Sequence, residues 1–167
     1  MANPGLRVIL DLQDEAATEA LARRLAPCLG PGDAVLLSGD LGAGKSLFAR
    51  AVIRARLGDP DAEVPSPTYT LVQVYEDPEG VEIWHADLYR LSGEDDVAET
   101  GLAEAMDSAI CLIEWPDRLG GTTPAGALRL DLDLVPGDEG RRLSITADTP
   151  RWRDILDDLA RHDRQVA

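Results

Sequence analysis

Short hydrophobic runs and helically spaced hydrophobic positions alternate along the first third of the chain. Residues 6–12, LRVILDL, are mostly apolar and include β-branched side chains, so they predict a strand. Asp14 is placed to cap a following helix whose inward face carries Leu21, Leu25 and Leu29. This order of elements is typical of an α/β fold.

The alternation continues through the next segment. The run AVLLS, residues 34–38, is almost entirely apolar, as expected for a strand buried on both faces of a parallel sheet. A glycine-rich loop follows, and the helical spacing of apolar side chains after it lasts until Gly58. These side chains are Leu47, Phe48, Ala51, Val52 and Ala55. The pattern therefore predicts a strand, a glycine loop and a helix in succession.

Five further strands are predicted in the rest of the chain. The runs at 68–75 and 81–89 flank the turn EDPEG and predict an antiparallel hairpin, and the run at 109–115 predicts a buried strand. Residues 126–135 alternate apolar with polar side chains, so we expect one wet face and a position near the sheet edge. Residues 141–147 are expected to pair with them across PGDEG.

Two capping patterns predict the remaining helices. Ser92, with Asp95 three residues later, predicts a capping box that opens a short acidic helix. Thr149 and Pro150 predict the N-cap and first residue of a last helix. We therefore predict one α/β domain over residues 1–167, a P-loop NTPase-like three-layer sandwich with a mixed, mostly parallel sheet and a β-hairpin insertion.

The charge balance limits the partners that such a domain binds directly. Lys and Arg number 16 against 31 Asp and Glu, which gives a net charge of −15 and disfavours a protein that holds RNA by itself. Lys45 is the only lysine, and it lies in the glycine loop. Arg141 and Arg142 come closest to a basic cluster, and we expect them to be solvated residues of a hairpin.

The cysteines and the apolar segments indicate the compartment. Cys28 and Cys111 lie far apart within apolar segments and without metal-ligand spacing, so we expect two reduced core thiols. The first residues do not have the pattern of a signal peptide, and no run of about 18 apolar residues occurs. We therefore expect a cytoplasmic protein with no membrane partner.

The glycine loop carries the strongest chemical pattern. Residues 39–46, GDLGAGKS, match G-x-x-x-x-G-K-[ST], in which backbone N–H groups and a helix N-terminus bind phosphates. Lys45 is expected to bridge the β- and γ-phosphates of a nucleoside triphosphate, and Ser46 to ligate Mg²⁺. The predicted nucleotide-binding residues of this segment are Gly39, Asp40, Leu41, Gly42, Ala43, Gly44, Lys45, Ser46 and Leu47.

Further polar residues are expected at the same edge of the sheet. Glu114 ends the strand ICLIE, where a carboxylate is suited to complete the Mg²⁺ site. Asp87 follows VEIWHA, so it is a candidate to orient the attacking water as a base or to act on the metal ion from beyond its direct ligands. Thr68 is a candidate to reach a γ-phosphate. We expect His85 and Trp115 to be packing residues.

The segments GDLGAGKS, SPTYTLV, HADLYRL and ICLIEWPDRL, in this order, resemble the TsaE (YjeE) family. The resemblance spans residues 14–119. It implies an ATPase of bacterial tRNA threonylcarbamoyladenosine synthesis, with Mg²⁺ bound by Ser46 and Glu114. It also implies that Asp87 is important for hydrolysis and that Thr68 is a switch-like residue.

The same resemblance implies nucleoside contacts and partners. Adenine or ribose contacts map to the start of the first helix, around Asp14, Glu15 and Thr18. The implied partners are TsaD, which performs the threonylcarbamoyl transfer, and TsaB. ATP hydrolysis would then cycle the protein on and off the TsaD–TsaB heterodimer, and tRNA would be reached only through that complex. Ser46 departs from the family's usual threonine but keeps the hydroxyl group.

Three other functions fit parts of the pattern. A P-loop small-molecule kinase is the main alternative, with Asp87 deprotonating a substrate hydroxyl, but no arginine-rich lid segment is evident around Arg90 or Arg118. A regulatory GTPase is disfavoured because the chain has no N-K-x-D segment. A nucleotide-binding module without catalytic activity is distinguished from an enzyme by ATP turnover with purified partners.

Overall fold

The computed structural model describes residues 5–137 and 139–166. Seven strands form one sheet, and helices pack on both of its faces. The strands are β1 (Leu6–Leu12), β2 (Ala34–Gly39), β3 (Val72–Glu76), β4 (Glu82–Asp87), β5 (Ile110–Glu114), β6 (Leu128–Leu134) and β7 (Arg141–Ala147). The α-helices are α1 (Glu15–Leu25), α2 (Lys45–Leu57), α3 (Glu94–Ala98), α4 (Leu102–Ala105) and α5 (Arg153–Val166). Short 3₁₀ segments occupy Ala26–Cys28, Pro116–Thr122 and Pro150–Trp152.

The sheet is parallel at its centre and antiparallel at both ends. Its strand order is β1-β7-β6-β2-β5-β4-β3, in which β6, β2, β5 and β4 run parallel. The predicted hairpin is confirmed as β3 and β4, and its second strand pairs in parallel with β5. In this register Glu114 lies beside Leu37 of β2 and Asp87 of β4. The last residues of β4 and β5 are thus direct neighbours.

Successive residues of the central strands pack into two separate cores, because side chains alternate between the faces of a strand. Val35 and Leu37 of β2 pack in the core that contains α1, α2 and α5, whereas Leu36 packs with α3 and α4. Ile113 of β5 lies in the second core. The predicted three-layer arrangement is therefore confirmed.

The helix boundaries follow from local caps. Asp14 caps α1 by accepting a hydrogen bond from the Ala17 amide at 2.9 Å. Gly58 ends α2 in the left-handed conformation, with φ of 68°. Pro150 begins a 3₁₀ turn that leads into α5. In the part of the chain that the structure describes, none of the helices has both the length and the apolar character needed to cross a membrane.

The predicted position of β6 near an edge is wrong. This strand lies inside the sheet, between β2 and β7. Its side chains do alternate, with Leu128 and Leu130 buried and Arg129 and Asp131 exposed. The alternation arises because α3 and α4 cover the other face only around β2, β5 and β4. The connection to β7 is confirmed, although Asp138 within it lies outside the described residues.

The predicted capping box at Ser92 and Asp95 is also wrong. Helix α3 begins after Gly93, and no side chain forms a hydrogen bond that caps its first turn. Instead, the Ser92 amide donates to Asp96 Oδ2 at 2.8 Å. The carboxylate one position further along the helix is the one that reaches back, because the N-cap is Gly93 and not Ser92.

The two cysteines occupy different environments. Cys111 is buried in β5, and burial raises the pKa of its thiol to about 12. Cys28 is exposed at the end of the 3₁₀ turn after α1, so the prediction of a second core thiol is wrong. Both thiols are free.

A buried ion pair joins α2 to the turn between β3 and β4. Arg56 Nη2 donates to Asp77 Oδ2 at 2.7 Å, and its Nη1 donates to the Leu29 carbonyl. Burial alone would raise the pKa of Asp77, but hydrogen bonds from the Val81 amide, Arg56 and the Glu79 amide outweigh it. The pKa of Asp77 therefore lies below its ordinary value.

We expect Asp77→Asn to lower the free energy of unfolding at pH 7 by about 1–3 kcal/mol, because a charge-assisted hydrogen bond is lost. The carboxylate contributes this stability above its ordinary pKa of 3.8 and loses it as pH falls through the lower folded value. The difference between the two proteins should therefore shrink below about pH 4. Urea unfolding from pH 7 to pH 3 measures it.

Asp11→Asn is the matched control, because the Asp11–Arg142 pair is largely exposed. It should change stability by less than about 1 kcal/mol. A pH-independent loss in Asp77→Asn, or an equal loss in both variants, would contradict this account of the buried pair.

Candidate functional site

The glycine loop joins β2 to α2, and its backbone conformation depends on glycine. Gly39, Gly42 and Gly44 have φ values of 146°, 83° and 110°, a region that other residues rarely adopt. At Gly39 a Cβ would also lie 2.5 Å from the Leu132 carbonyl oxygen. The loop ends at the N-terminus of α2, where unpaired N–H groups and the helix dipole favour an anion.

Lys45 lies against this loop as the first residue of α2. Its ammonium group donates to the carbonyls of Gly39 and Asp40, the latter at 3.1 Å. It also lies 4.2 Å from the centroid of a Trp115 ring. Trp115 adopts the left-handed conformation, with φ of 58°, directly after the end of β5. Its ring packs as predicted, but it packs against the lysine of the loop.

Burial lowers the pKa of Lys45 below its ordinary value, because desolvation disfavours the ammonium form. The carboxylates of Glu114, Asp87 and Asp40 oppose this shift without cancelling it. An additional negative charge beside the ammonium group, such as a phosphate, would favour its protonated form. The electrostatics of the site therefore suit an anionic ligand.

Ser46 and Glu114 are brought into direct contact. The Ser46 hydroxyl lies 2.9 Å from Glu114 Oε1 and 3.1 Å from Oε2, so it donates to this carboxylate. His85 Nε2 lies 2.8 Å from Oε2 on the other side. His85 is buried, as predicted for a packed strand residue, but it also shares a hydrogen bond with the proposed metal ligand.

This donor set fits Mg²⁺. The hydroxyl of Ser46 and the carboxylate of Glu114 are hard oxygen ligands, which Mg²⁺ prefers. No group of three or more His, Cys, Asp and Glu side chains suited to a metal occurs within the described ranges. Mg²⁺ typically combines one or two carboxylates with phosphate oxygens and water, so a larger protein cluster is not required.

Asp87 and Thr68 also come together at this edge. Asp87 Oδ1 accepts from the Tyr89 amide at 3.0 Å, and Oδ2 lies 3.4 Å from the Thr68 hydroxyl. Thr68 Oγ1 in turn lies 2.7 Å from Ser66 Oγ. Asp87 is the last residue of β4 and is paired in register with Glu114. Thus the two carboxylates predicted for the site end adjacent strands.

Other predicted nucleotide-binding residues lie at the margin. Leu41 at the tip of the loop is 71% exposed, and Leu47 is half-buried on α2. Glu15 is exposed at the start of α1, and its carboxylate forms no hydrogen bond to the loop within the described residues. Its predicted nucleoside contact stays a prediction.

Arg141 supports the glycine loop, a role that the sequence did not predict. Its Nε donates to the Ala43 carbonyl at 3.0 Å and its Nη2 to the Gly42 carbonyl at 3.2 Å. The prediction of a solvated arginine is correct for Arg142, which is exposed, and wrong for Arg141. No local pattern distinguishes the two residues, because the loop lies 98 positions earlier in the chain.

Comparison with known proteins identifies close relatives. The family model described as threonylcarbamoyl adenosine biosynthesis protein TsaE matches residues 12–143. The chain is 38% identical over 135 residues to a Rickettsia felis protein named tRNA threonylcarbamoyladenosine biosynthesis protein TsaE, covering 81% of this chain and 77% of that protein. A Bacillus subtilis protein of the same name is 35% identical over 148 residues, covering 87% and 89%.

The fold has a solved counterpart as well. The crystal structure of Bacillus subtilis YdiB aligns with a TM-score of 0.75 and 27% sequence identity. The alignment covers 96% of this chain and 99% of that one. The structural similarity therefore extends over nearly the whole chain.

We expect Arg141→Ala to loosen the glycine loop, because two charge-assisted hydrogen bonds to its carbonyls are lost. The amides of Ala43 and Phe48, which donate within the loop and the first turn of α2, should exchange with deuterium about 10-fold faster. Hydrogen exchange of peptides from this segment measures the effect. Arg142→Ala is the control, and equal protection in both variants would contradict a supporting role for Arg141.

Proposed function

The chain belongs to the TsaE family of tRNA threonylcarbamoyladenosine biosynthesis proteins, and we propose that it is the Mg²⁺-dependent ATPase of that modification system. One observation carries the proposal. Lys45 and Ser46 of a phosphate-binding loop lie beside Glu114 of the adjacent buried strand, with Asp87 next to it. This arrangement combines a phosphate site, two oxygen ligands and a further carboxylate.

The chain's own residues would bind the triphosphate of ATP. Amides of the glycine loop and the N-terminus of α2 would donate to phosphate oxygens. The Lys45 ammonium, which donates to the carbonyls of Gly39 and Asp40, would exchange these contacts for the β- and γ-phosphates. Arg141 would stabilise the conformation of the loop, because it donates hydrogen bonds to loop carbonyls.

Ser46 and Glu114 would hold Mg²⁺. When bound, the ion would neutralise charge on the phosphate oxygens and orient them for hydrolysis. Ser46 places its hydroxyl at the first turn of α2, and Glu114 places its carboxylate at the end of β5. Both side chains are anchored on regular elements, so the two metal-binding groups are held in position before ATP or Mg²⁺ binds.

Asp87 is suited to orient the attacking water or to accept its proton. Its carboxylate is fixed by the Tyr89 amide and contacts the Thr68 hydroxyl. Thr68 lies in the loop before β3, where it would sense the γ-phosphate and change the position of that loop after hydrolysis. The contact between Asp87 and Thr68 would link hydrolysis to the loop before β3. The next residue of that loop, Tyr69, is 86% exposed.

ATP hydrolysis would reset a complex with TsaD and TsaB in the cytoplasm. With a net charge of −15, the chain is unsuited to hold tRNA by itself, so tRNA would be reached through those partners. The contacts of Arg118 favour this function over a small-molecule kinase. Arg118 donates to the Leu91 carbonyl and pairs with Asp117, so it does not serve as a lid over the phosphates.

A tRNA modification reaction with TsaD, TsaB, a threonylcarbamoyl donor and excess tRNA tests the proposal. We expect modified tRNA to exceed the amount of TsaD–TsaB complex only when this chain, ATP and Mg²⁺ are present. Lys45→Ala should abolish this gain together with ADP binding, because the bridging charge is lost. Arg7→Ala, which removes an exposed cation, is the control. Multiple turnovers without this chain would overturn the proposal.

Asp87→Asn should separate ATP binding from hydrolysis. The amide keeps an acceptor for the Tyr89 amide but is a poor base, so the rate of ATP hydrolysis should fall about 100-fold or more while ADP affinity stays within about threefold. Single-turnover hydrolysis and a fluorescent ADP analogue measure the two effects. Asp131→Asn on the exposed face of β6 is the control. A folded Asp87→Asn protein with normal hydrolysis would remove Asp87 from the mechanism.

A further inference from the structure

His85 is a buried polar side chain that the proposed mechanism does not use. It is 1% exposed on β4, and its ring is directed at Glu114, which is 3% exposed. The Nε2 to Oε2 distance is 2.8 Å, a normal length for a hydrogen bond to a carboxylate. His85 pairs in register with Leu112, which lies two residues before Glu114 on β5. The contact is therefore made between two strands of the sheet centre.

The surroundings of the ring determine which nitrogen carries the proton. An ionised carboxylate only accepts hydrogen bonds, so Nε2 must carry hydrogen for this contact to be attractive. His85 Nδ1 is also buried, and no partner for it occurs within the residues that the structure describes. An unpaired buried N–H group is costly, which favours a bare Nδ1 and a hydrogen on Nε2. His85 then donates one hydrogen bond, to Glu114.

The two oxygens of Glu114 consequently differ. The imidazole contacts Oε2, whereas the Ser46 hydroxyl lies nearer to Oε1, at 2.9 Å against 3.1 Å. A carboxylate held at one oxygen cannot rotate about its last bond without losing that hydrogen bond. Oε1 is thus directed toward Ser46 and the N-terminus of α2, where the proposed metal site lies.

We infer that His85 is a positioning residue that holds the Glu114 carboxylate in the orientation needed to bind the divalent cation. It acts through Glu114 and contacts neither the ion nor the nucleotide. The inference rests on the proposed function, since it concerns the same Mg²⁺ site. Side chains that donate a hydrogen bond to a metal-binding group typically contribute 10- to 100-fold to metal affinity, because they keep that group oriented.

Two substitutions distinguish the Nε2–H donor from the bulk of the ring. His85→Gln keeps an N–H donor at a similar distance from the backbone, whereas His85→Met fills similar space without any donor. The probe is Mn²⁺ in place of Mg²⁺, titrated in the presence of saturating ADP and followed by electron paramagnetic resonance of the free ion. This readout measures binding and does not depend on ATP hydrolysis.

We expect His85→Met to weaken Mn²⁺ binding about 10- to 100-fold and His85→Gln to remain within about fivefold of the unaltered chain. ADP affinity without metal should be unchanged in both variants. In a Glu114→Gln background, His85→Met should cause less than about a twofold further loss, because its effect passes through the carboxylate. Equal losses in His85→Met and His85→Gln would overturn the inference.

Ile83→Val controls for general loosening of the core. Ile83 is buried on the same face of β4 as His85 and has no hydrogen bond to Glu114. The Ile83→Val substitution should therefore lower thermal stability without changing Mn²⁺ affinity. Mn²⁺ affinity that follows thermal stability across all variants would overturn the positioning role. If the unaltered chain binds ADP and Mn²⁺ but His85→Met is unaffected, only this inference fails. Failure of the unaltered chain to bind Mn²⁺ with ADP would overturn the proposed function as well.

Discussion

The parallel pairing of β5 with β2 on one side and β4 on the other is the constraint on which the site depends. Parallel strands end at the same edge of a sheet, so this pairing brings Glu114, Asp87 and the glycine loop together although they are far apart in the chain. The apolar residues of β2 and β5 are buried on both faces and hold this register. A shift by one residue would turn Glu114 to the other face of the sheet.

The acidic surface is compatible with a site for anions, because the surface charges and the groups of the glycine loop act over different distances. Charges on the surface are screened over about 10 Å at 0.1 M salt. Within the loop, backbone amides, the end of α2 and Lys45 act at contact distance and are partly shielded from water. A small phosphate ligand accompanied by a cation would therefore be compatible with this point, whereas an extended polyanion would meet repulsion along the whole surface.

The parts of the fold that were predicted correctly depend on local patterns. The glycine loop, the strand before it and the carboxylates at strand ends are each visible within about ten residues. The role of Arg141 was not predicted, because its contacts to Gly42 and Ala43 depend on how β7 lies beside the loop. The interior position of β6 was not predicted either. An alternating pattern is expected both for a strand at the sheet edge and for an interior strand with one face that no helix covers.

The hydrogen bonds of His85 and Glu114 show how the site keeps its charges available. Glu114 forms its hydrogen bonds with a hydroxyl and an imidazole. Lys45, the nearby cation, is instead directed to two carbonyls and to Trp115. If Lys45 and Glu114 formed a direct ion pair, each would neutralise the charge of the other. Lys45 would then attract a phosphate less strongly, and Glu114 a cation. Because the two groups are held by other partners, the carboxylate would remain available to a cation and the ammonium group to a phosphate.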